Sequence, residues 1–186
     1  EYRSLRRELD SRVRESYRGG IVHLGSTEWH RDLVTLDINS MYPHVMRANG
    51  VPAGTPWGVR GWDGRRPGVY ECRVHVPPDM PFTFLGHRSP VGQAWPTGTF
   101  DTVLTSIEIV AARDRGVGVE VGAGIVWPQL AHPFDGFVDR VERLRAMGGA
   151  MSTVGKIMGN SLYGKFGSRL ERDEWMLAGA RPGPDW

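Results

Sequence analysis

Two adjacent glycines, Gly148-Gly149, narrow the possible folds more than any other feature of this sequence. Before them, Pro133 to Arg145 carries apolar residues at helical spacing, and after them Met151 to Lys165 reads as a second helix in spite of Gly155 and Gly159. Glycine tolerates the positive φ angles that a reversal between helices demands. The span 134–167 is therefore predicted to be a helix, a tight connection and a helix, a hairpin able to project from a sheet.

Upstream, Leu5, Leu9 and Val13 recur every four residues in a charged background, predicting an amphipathic helix over 1–16 that Gly19-Gly20 follows. A short strand is predicted at IVHL, residues 21–24. Asp32 to Ile38 (DLVTLDI) is apolar and β-branched enough for a buried strand, followed by a short helix capped by Asn39 or Ser40, with Pro43 in its first turn and Asn49-Gly50 as its stop. From Val51 to Gly98 the chain is rich in Pro, Gly and Trp with one clear strand at Val69 to Val76, and reads as an irregular β-containing insertion. Thr102 to Arg113 has helical periodicity, and VGVEVGAGIVW alternates like a strand or hairpin. There is no internal repeat.

Two stretches carry chemistry. The chain has two lysines, both within GKIMGNSLYGKFG at 155–167, against 23 basic residues in all. Lys156, Asn160 and Tyr163 fall at i, i+4 and i+7, so one helix stripe presents a cation, an amide and a phenol. A solvated helix face with Tyr163 packed sideways is the plain alternative. In LDINSMYPHVM, Asp37 ends the predicted strand and the backbone then turns into a helix N-terminus, where free N–H groups suit phosphate and a carboxylate suits a hard cation. Asp37 as a simple helix-capping residue is the alternative there. A phosphate loop at AMSTVGKI fails, because Ala150 stands in the place of the first glycine and Ile157 in that of the hydroxyl.

D-I-N-S-M-Y-P followed by K-I-M-G-N-S-L-Y-G resembles the motif A and motif B pair of family B DNA polymerases, D-x-x-S-L-Y-P and K-x-x-x-N-S-x-Y-G, with Met41 in place of leucine. Tyr17-Arg18-Gly19-Gly20 and the K-F-G ending resemble the protein-primed branch of small phages and linear plasmids. The resemblance implies an α+β fold, with a partial polymerase palm, helical-hairpin fingers and an inserted α+β segment like the terminal-protein region. The implied parts are 1–56 (N-terminal helix, YRGG segment and motif A), 57–132 (the insertion), 133–167 (fingers with motif B) and 168–186 (a return towards the palm).

It also implies template-directed transfer of deoxynucleotides to a primer 3′ hydroxyl with two Mg²⁺ ions, for which Mn²⁺ substitutes. Asp37 and Lys156 would be the catalytic pair, with Asp37 and the Ile38 carbonyl on the metal. Ser40, Met41, Tyr42, Arg145, Lys156, Asn160 and Tyr163, together with Ile38, would hold the nucleotide, Tyr42 rejecting a 2′-OH. Tyr17, Arg18, Gly19, Gly20, Gly164 and Lys165 would contact DNA. The partners so implied are primer-template DNA, deoxynucleoside triphosphates and a terminal priming protein.

The family's second catalytic aspartate, in a Y-x-D-T-D motif, is not found after Gly167, and no initiator methionine begins the chain. A fragment is therefore expected, inactive in polymerisation by itself; a split polymerase and a non-catalytic nucleotide-binding module are the alternatives. Net charge +2 permits a polyanionic partner without establishing one. No run reaches the ~20 apolar residues of a membrane helix, and the charged N-terminus lacks a signal-peptide core. An intracellular protein is expected, in the cytoplasm of a bacterium or phage-infected host. The single cysteine, Cys72, is expected to pack as a small hydrophobe.

Overall fold

The computed structural model describes residues 2–89 and 92–166, so the expected return over 168–186 lies outside the described residues. Helix α1 spans Tyr2–Ser16 and ends where the Tyr17 amide bonds to the Arg14 carbonyl. Helix α2 spans Met41–Asn49, stopped by Gly50 at φ 64°. Strand β1 (Val51–Ala53) then leads into β2 (Trp57–Arg60), β3 (Gly68–Val76), β4 (His87–Ser89), β5 (Gly92–Ala94) and β6 (Gly98–Thr105). Helix α3 (Ser106–Asp114), β7 (Gly118–Val126), β8 (Gln129–Ala131), α4 (Asp135–Ala146) and α5 (Gly149–Phe166) complete the order.

The largest sheet is antiparallel in the order β2-β7-β3-β6. Along β3 the side chains alternate: Cys72, Val74 and Val76 point into the core, while Glu71, Arg73 and His75 face out. Ile109 and Ala112 of α3, with Leu85, Leu104, Val117 and Val126, close that core over Tyr70. Cys72 is buried and unbridged, as expected. Two glycines make room for the Tyr70 ring: a Cβ at Gly124 would stand 2.3 Å from Tyr70 Cδ1, and one at Gly68 2.9 Å from its Cε2.

Strands β1 and β8 pair antiparallel, Val51 with Ala131, and so tie together the entry and exit of everything between them. The two helices flanking Gly148-Gly149 form as expected, with those glycines at φ 72° and 51°.

Three expectations need correction. Residues 21–24 form no strand, and neither do residues 32–38. Leu33, Val34, Leu36 and Ile38 are 77%, 83%, 90% and 68% exposed. A strand needs a partner for its backbone, and among the described residues no strand pairs with either segment. The helix expected from Thr102 begins later. Thr102 to Thr105 complete β6 opposite Cys72 to Val69, and a capping box, with Thr105 Oγ1 accepting from the Glu108 amide and Glu108 accepting from the Thr105 amide, starts α3 at Ser106.

Gly124→Ala is expected to lower stability by about 1–3 kcal/mol, since the new methyl meets the Tyr70 ring and the Val69 carbonyl; the shift of the urea midpoint measures it. Burial pushes the Cys72 thiol up to about 11 from 9.0 and the Tyr70 phenol up to about 12 from 10.0. The unfolded groups ionise first, so this contribution is intact below pH 9.0 and is lost as pH rises towards 12. In an alkaline titration of stability, Tyr70→Phe is expected to remove the upper part of the fall.

Candidate functional site

The site is built on close approach of α5 to α4 and α2. A Cβ at Gly155 would meet Arg145 Cγ at 2.9 Å and the Val141 carbonyl at 3.0 Å; at Gly159 it would meet Pro43 Cγ at 3.0 Å and Val141 Cγ1 at 3.3 Å. Two glycines one turn apart thus let α5 lie directly on both neighbours, over the buried Val138, Val141 and Pro43. One further turn along α5, Tyr163 stacks on Tyr42 of α2, with centroids 4.2 Å apart and planes 13° from parallel. Burial raises the Tyr163 phenol, and the phenols of Tyr17 and Tyr42 add to the shift. Tyrosines from three separated segments therefore share one locality.

Ser40 sits just before α2 at φ 53°, a left-handed conformation that costs a non-glycine residue energy. Its side chain makes no capping bond to the helix. Instead its Oγ accepts from Arg145 Nη1 near the end of α4. A second link binds the same helices: Arg47 pairs with Asp139 and, at 3.2 Å, with Glu142, while its carbonyl contacts His132 Nδ1 at 3.0 Å.

The structure thus brings Ser40, Tyr42, Arg145 and Tyr163 into contact pairs, with Tyr17 nearby. Lys156 and Asn160 lie exposed on α5, as do Gly164 and Lys165 towards its end. Met41 is 41% exposed, and Asp37 and Ile38 are exposed in the irregular stretch before α2. Gly19 and Gly20 stand in open space. Arg18 is employed differently: its Nη2 donates to the Gly86 carbonyl (3.4 Å), Thr102 Oγ1 (2.9 Å) and the Val103 carbonyl (3.2 Å), so its guanidinium ties the YRGG segment to the sheet. Gly155-Lys156 lies inside α5, which removes any phosphate-loop reading.

Sequence reasoning missed Arg47, Asp139 and Glu142. The i, i+3 spacing of the two carboxylates on α4 was visible, but their cation comes from 92 residues away. As for a metal, the Asp37 carboxylate and the Ile38 carbonyl are hard oxygen donors, yet no group of three His, Cys, Asp or Glu able to hold an ion occurs among the described residues. They fit as part of a donor set, not as a whole one.

Residues 1–179 match the family described as DNA polymerase type B, organellar and viral. The chain belongs to this family. A probable DNA polymerase of Neurospora intermedia is 26% identical over 198 residues, covering 97% of this chain and 20% of that protein. The DNA polymerase of Bacillus phage phi29 is 26% identical over 178 residues, covering 86% of this chain and 31% of its own length. In solved structures, phi29 DNA polymerase complexed with primer-template DNA and incoming nucleotide substrates superposes with TM-score 0.65 at 24% identity, over 86% of this chain and 31% of that one. The mixed helix and sheet fold is therefore that of a region of these type B polymerases, and the chain spans between a fifth and a third of their length.

Gly159→Leu is expected to lift α5 from Pro43 and unstack Tyr163 from Tyr42. Hydrogen exchange checks this: α5 amides lose protection while those of β3 and β6 keep theirs.

Proposed function

We propose that this chain is the nucleotide-binding part of a protein-primed DNA polymerase, with motif A on a partial palm (1–56), an insertion resembling the terminal-protein region (57–132) and a fingers hairpin (133–167). The observation that carries the reading is the stack of Tyr42 on Tyr163, which joins motif A to motif B face to face beside the Ser40–Arg145 bond.

From these groups the binding role follows. The stacked pair leaves part of each ring exposed, an aromatic surface against which a base and a sugar can lie. Tyr42, at the start of α2, would lie under the sugar and clash with a 2′-OH. Ser40 and Arg145 satisfy one another here, and both are groups that a phosphate engages well. A triphosphate would part them and take both, with the α2 N-terminal amides at Met41 and Tyr42 adding their dipole. Lys156 would hold charge beside it as a compact ammonium and Asn160 would line the sugar. Divalent ions, Mg²⁺ or Mn²⁺, would supply Lewis-acid stabilisation of the phosphoryl oxygens when bound. Asp37 and Ile38 would give some of their oxygens, the second carboxylate coming from outside the described residues. Primer-template DNA would approach along Tyr17, Gly19, Gly20, Gly164 and Lys165, and a priming protein along the insertion.

In a polymerase carrying this segment, Lys156→Ala is expected to raise KM for deoxynucleotides roughly ten- to a hundredfold, the loss of one charge-assisted hydrogen bond. Tyr42→Val is expected to admit ribonucleotides with modest loss of deoxynucleotide use. Sugar discrimination unchanged by Tyr42→Val would remove the assignment.

A further inference from the structure

We infer that the loop between β2 and β3 forms a docking pocket for one unpaired nucleotide, separate from the site at α2 and α5. A cavity of about 290 Å³ opens there, lined among others by Val59, Tyr70 and Val126 on its apolar side and by Trp62, Arg60 and Arg66. Asp63 also lines the cavity and pairs with Arg66 at 3.2 Å, so Arg60 is the lining cation left for a phosphate, while the apolar floor and the indole wall suit a base.

The loop is ordered before any ligand arrives. Asp63 Oδ1 accepts from the amides of Arg65 and Arg66, both at 3.0 Å. Trp62 Nε1 donates to the Arg66 carbonyl at 3.0 Å, fixing the indole, and the Gly61 amide bonds to the Gly122 carbonyl at 2.8 Å. Gly61 and Gly64, at φ 73° and 79°, supply the turns. A rigid loop binds without first losing conformational entropy.

The charge around it has one sign in excess. Arg60, Arg65 and Arg66 are exposed, and Arg113 lies 5.8 Å over the Trp62 ring while Arg66 lies 5.5 Å over Trp57. Asp63 pairs with Arg66 at 3.2 Å and with no other cation among the described residues. Neither Arg60 nor Arg65 has an ion pair among the described residues; Arg60 lines the cavity and Arg65, on the same loop outside the lining, is exposed, so both are available to the phosphates that flank the base. Arg113 and Arg66 already stand within cation–π reach of the two indoles, so the positive charge that a phosphate needs lies beside the ring on which the base would stack. A cavity of this volume takes a single base, which favours a single strand, whose bases are free to enter, over a duplex, whose bases are stacked inward.

The test uses this 186-residue chain and labelled oligothymidylate, followed by anisotropy over a salt series. The double variant Arg60→Gln, Arg65→Gln is expected to bind about tenfold more weakly and to reduce the slope of log affinity against log salt by about 1.4, two contacts at ~0.7 each. Trp62→Phe is expected to remove the share of the indole quenching that Trp62 contributes, against the background of the other tryptophans among the seven; duplex DNA of equal length is expected to quench less than the single strand. Unchanged affinity and slope in the arginine variant would overturn the inference, as would equal competition by polyglutamate, which has charge without bases. Lys156→Gln separates the two sites: losing oligothymidylate binding through that variant alone would place the strand at α5 and overturn the loop pocket, while the reading of α2 and α5 would stand.

Discussion

The whole arrangement of α2, α4 and α5 depends on how closely one helix can approach two others. At Gly155 and Gly159 the surface of α5 is bare backbone, and Val141, Arg145 and Pro43 fill the space where side chains would stand. The approach fixes the rotation of α5 about its axis, since only the glycine face can turn inwards. Lys156 and Asn160 are consequently held outward, and Tyr163 is carried round to the Tyr42 ring. Exchanging packing volume for proximity gives up some dispersion contact but positions the aromatic pair through backbone, which has far less freedom than a chain of side-chain rotamers.

The sheet is the second body, and it is joined to the first by a narrow neck. The β1–β8 ribbon pairs three residues on each side, and Gly54, at φ 93°, packs where a Cβ would be 2.5 Å from Pro128. Arg18 provides a separate tie, reaching from the segment after α1 to carbonyls of residues 86 and 103. Arg18 is engaged by the sheet while the Tyr17 phenol is near enough to Tyr163 to add to the rise of its phenol, so one dipeptide relates to both bodies. Arg47, with its two carboxylates on α4, braces the neck from the other side. Exposed ion pairs of this kind each contribute at most about 1 kcal/mol, so they set orientation more than they hold the fold together.

Local signals account for what could be read in the sequence. The hairpin of α4 and α5 was legible because Gly148-Gly149 is a break whose meaning does not depend on the rest of the chain. So was α2, from Pro43 to Gly50, and so was β3, which alternates in and out from Tyr70 to Val76. The start of α3 was misread because Thr102 to Thr105 satisfy helical periodicity and strand pairing equally, and the capping box at Thr105 and Glu108 decides between them. Motif residues were legible as a set, but their arrangement was not: the Ser40–Arg145 bond spans 105 residues, and the turning of Arg18 into the sheet has no signature in YRGG.

The irregular course of residues 32–38 follows from the same logic. Full burial of Leu33, Val34, Leu36 and Ile38 would contribute roughly 6–12 kcal/mol, at about 1.5–3 kcal/mol for each side chain. Strand propensity alone, worth no more than about 1 kcal/mol at a position, cannot order the segment without that burial. Asp37 lies between Leu36 and Ile38, so its carboxylate can be held in a fixed place only when those neighbours are covered. Tyr42 and Ser40, by contrast, are fixed by α2 and α4 already. The side chains proposed to bind nucleotide and the Asp37 carboxylate are thus positioned by different interactions, and a surface that covers Leu36 and Ile38 would bring the second into register with the first.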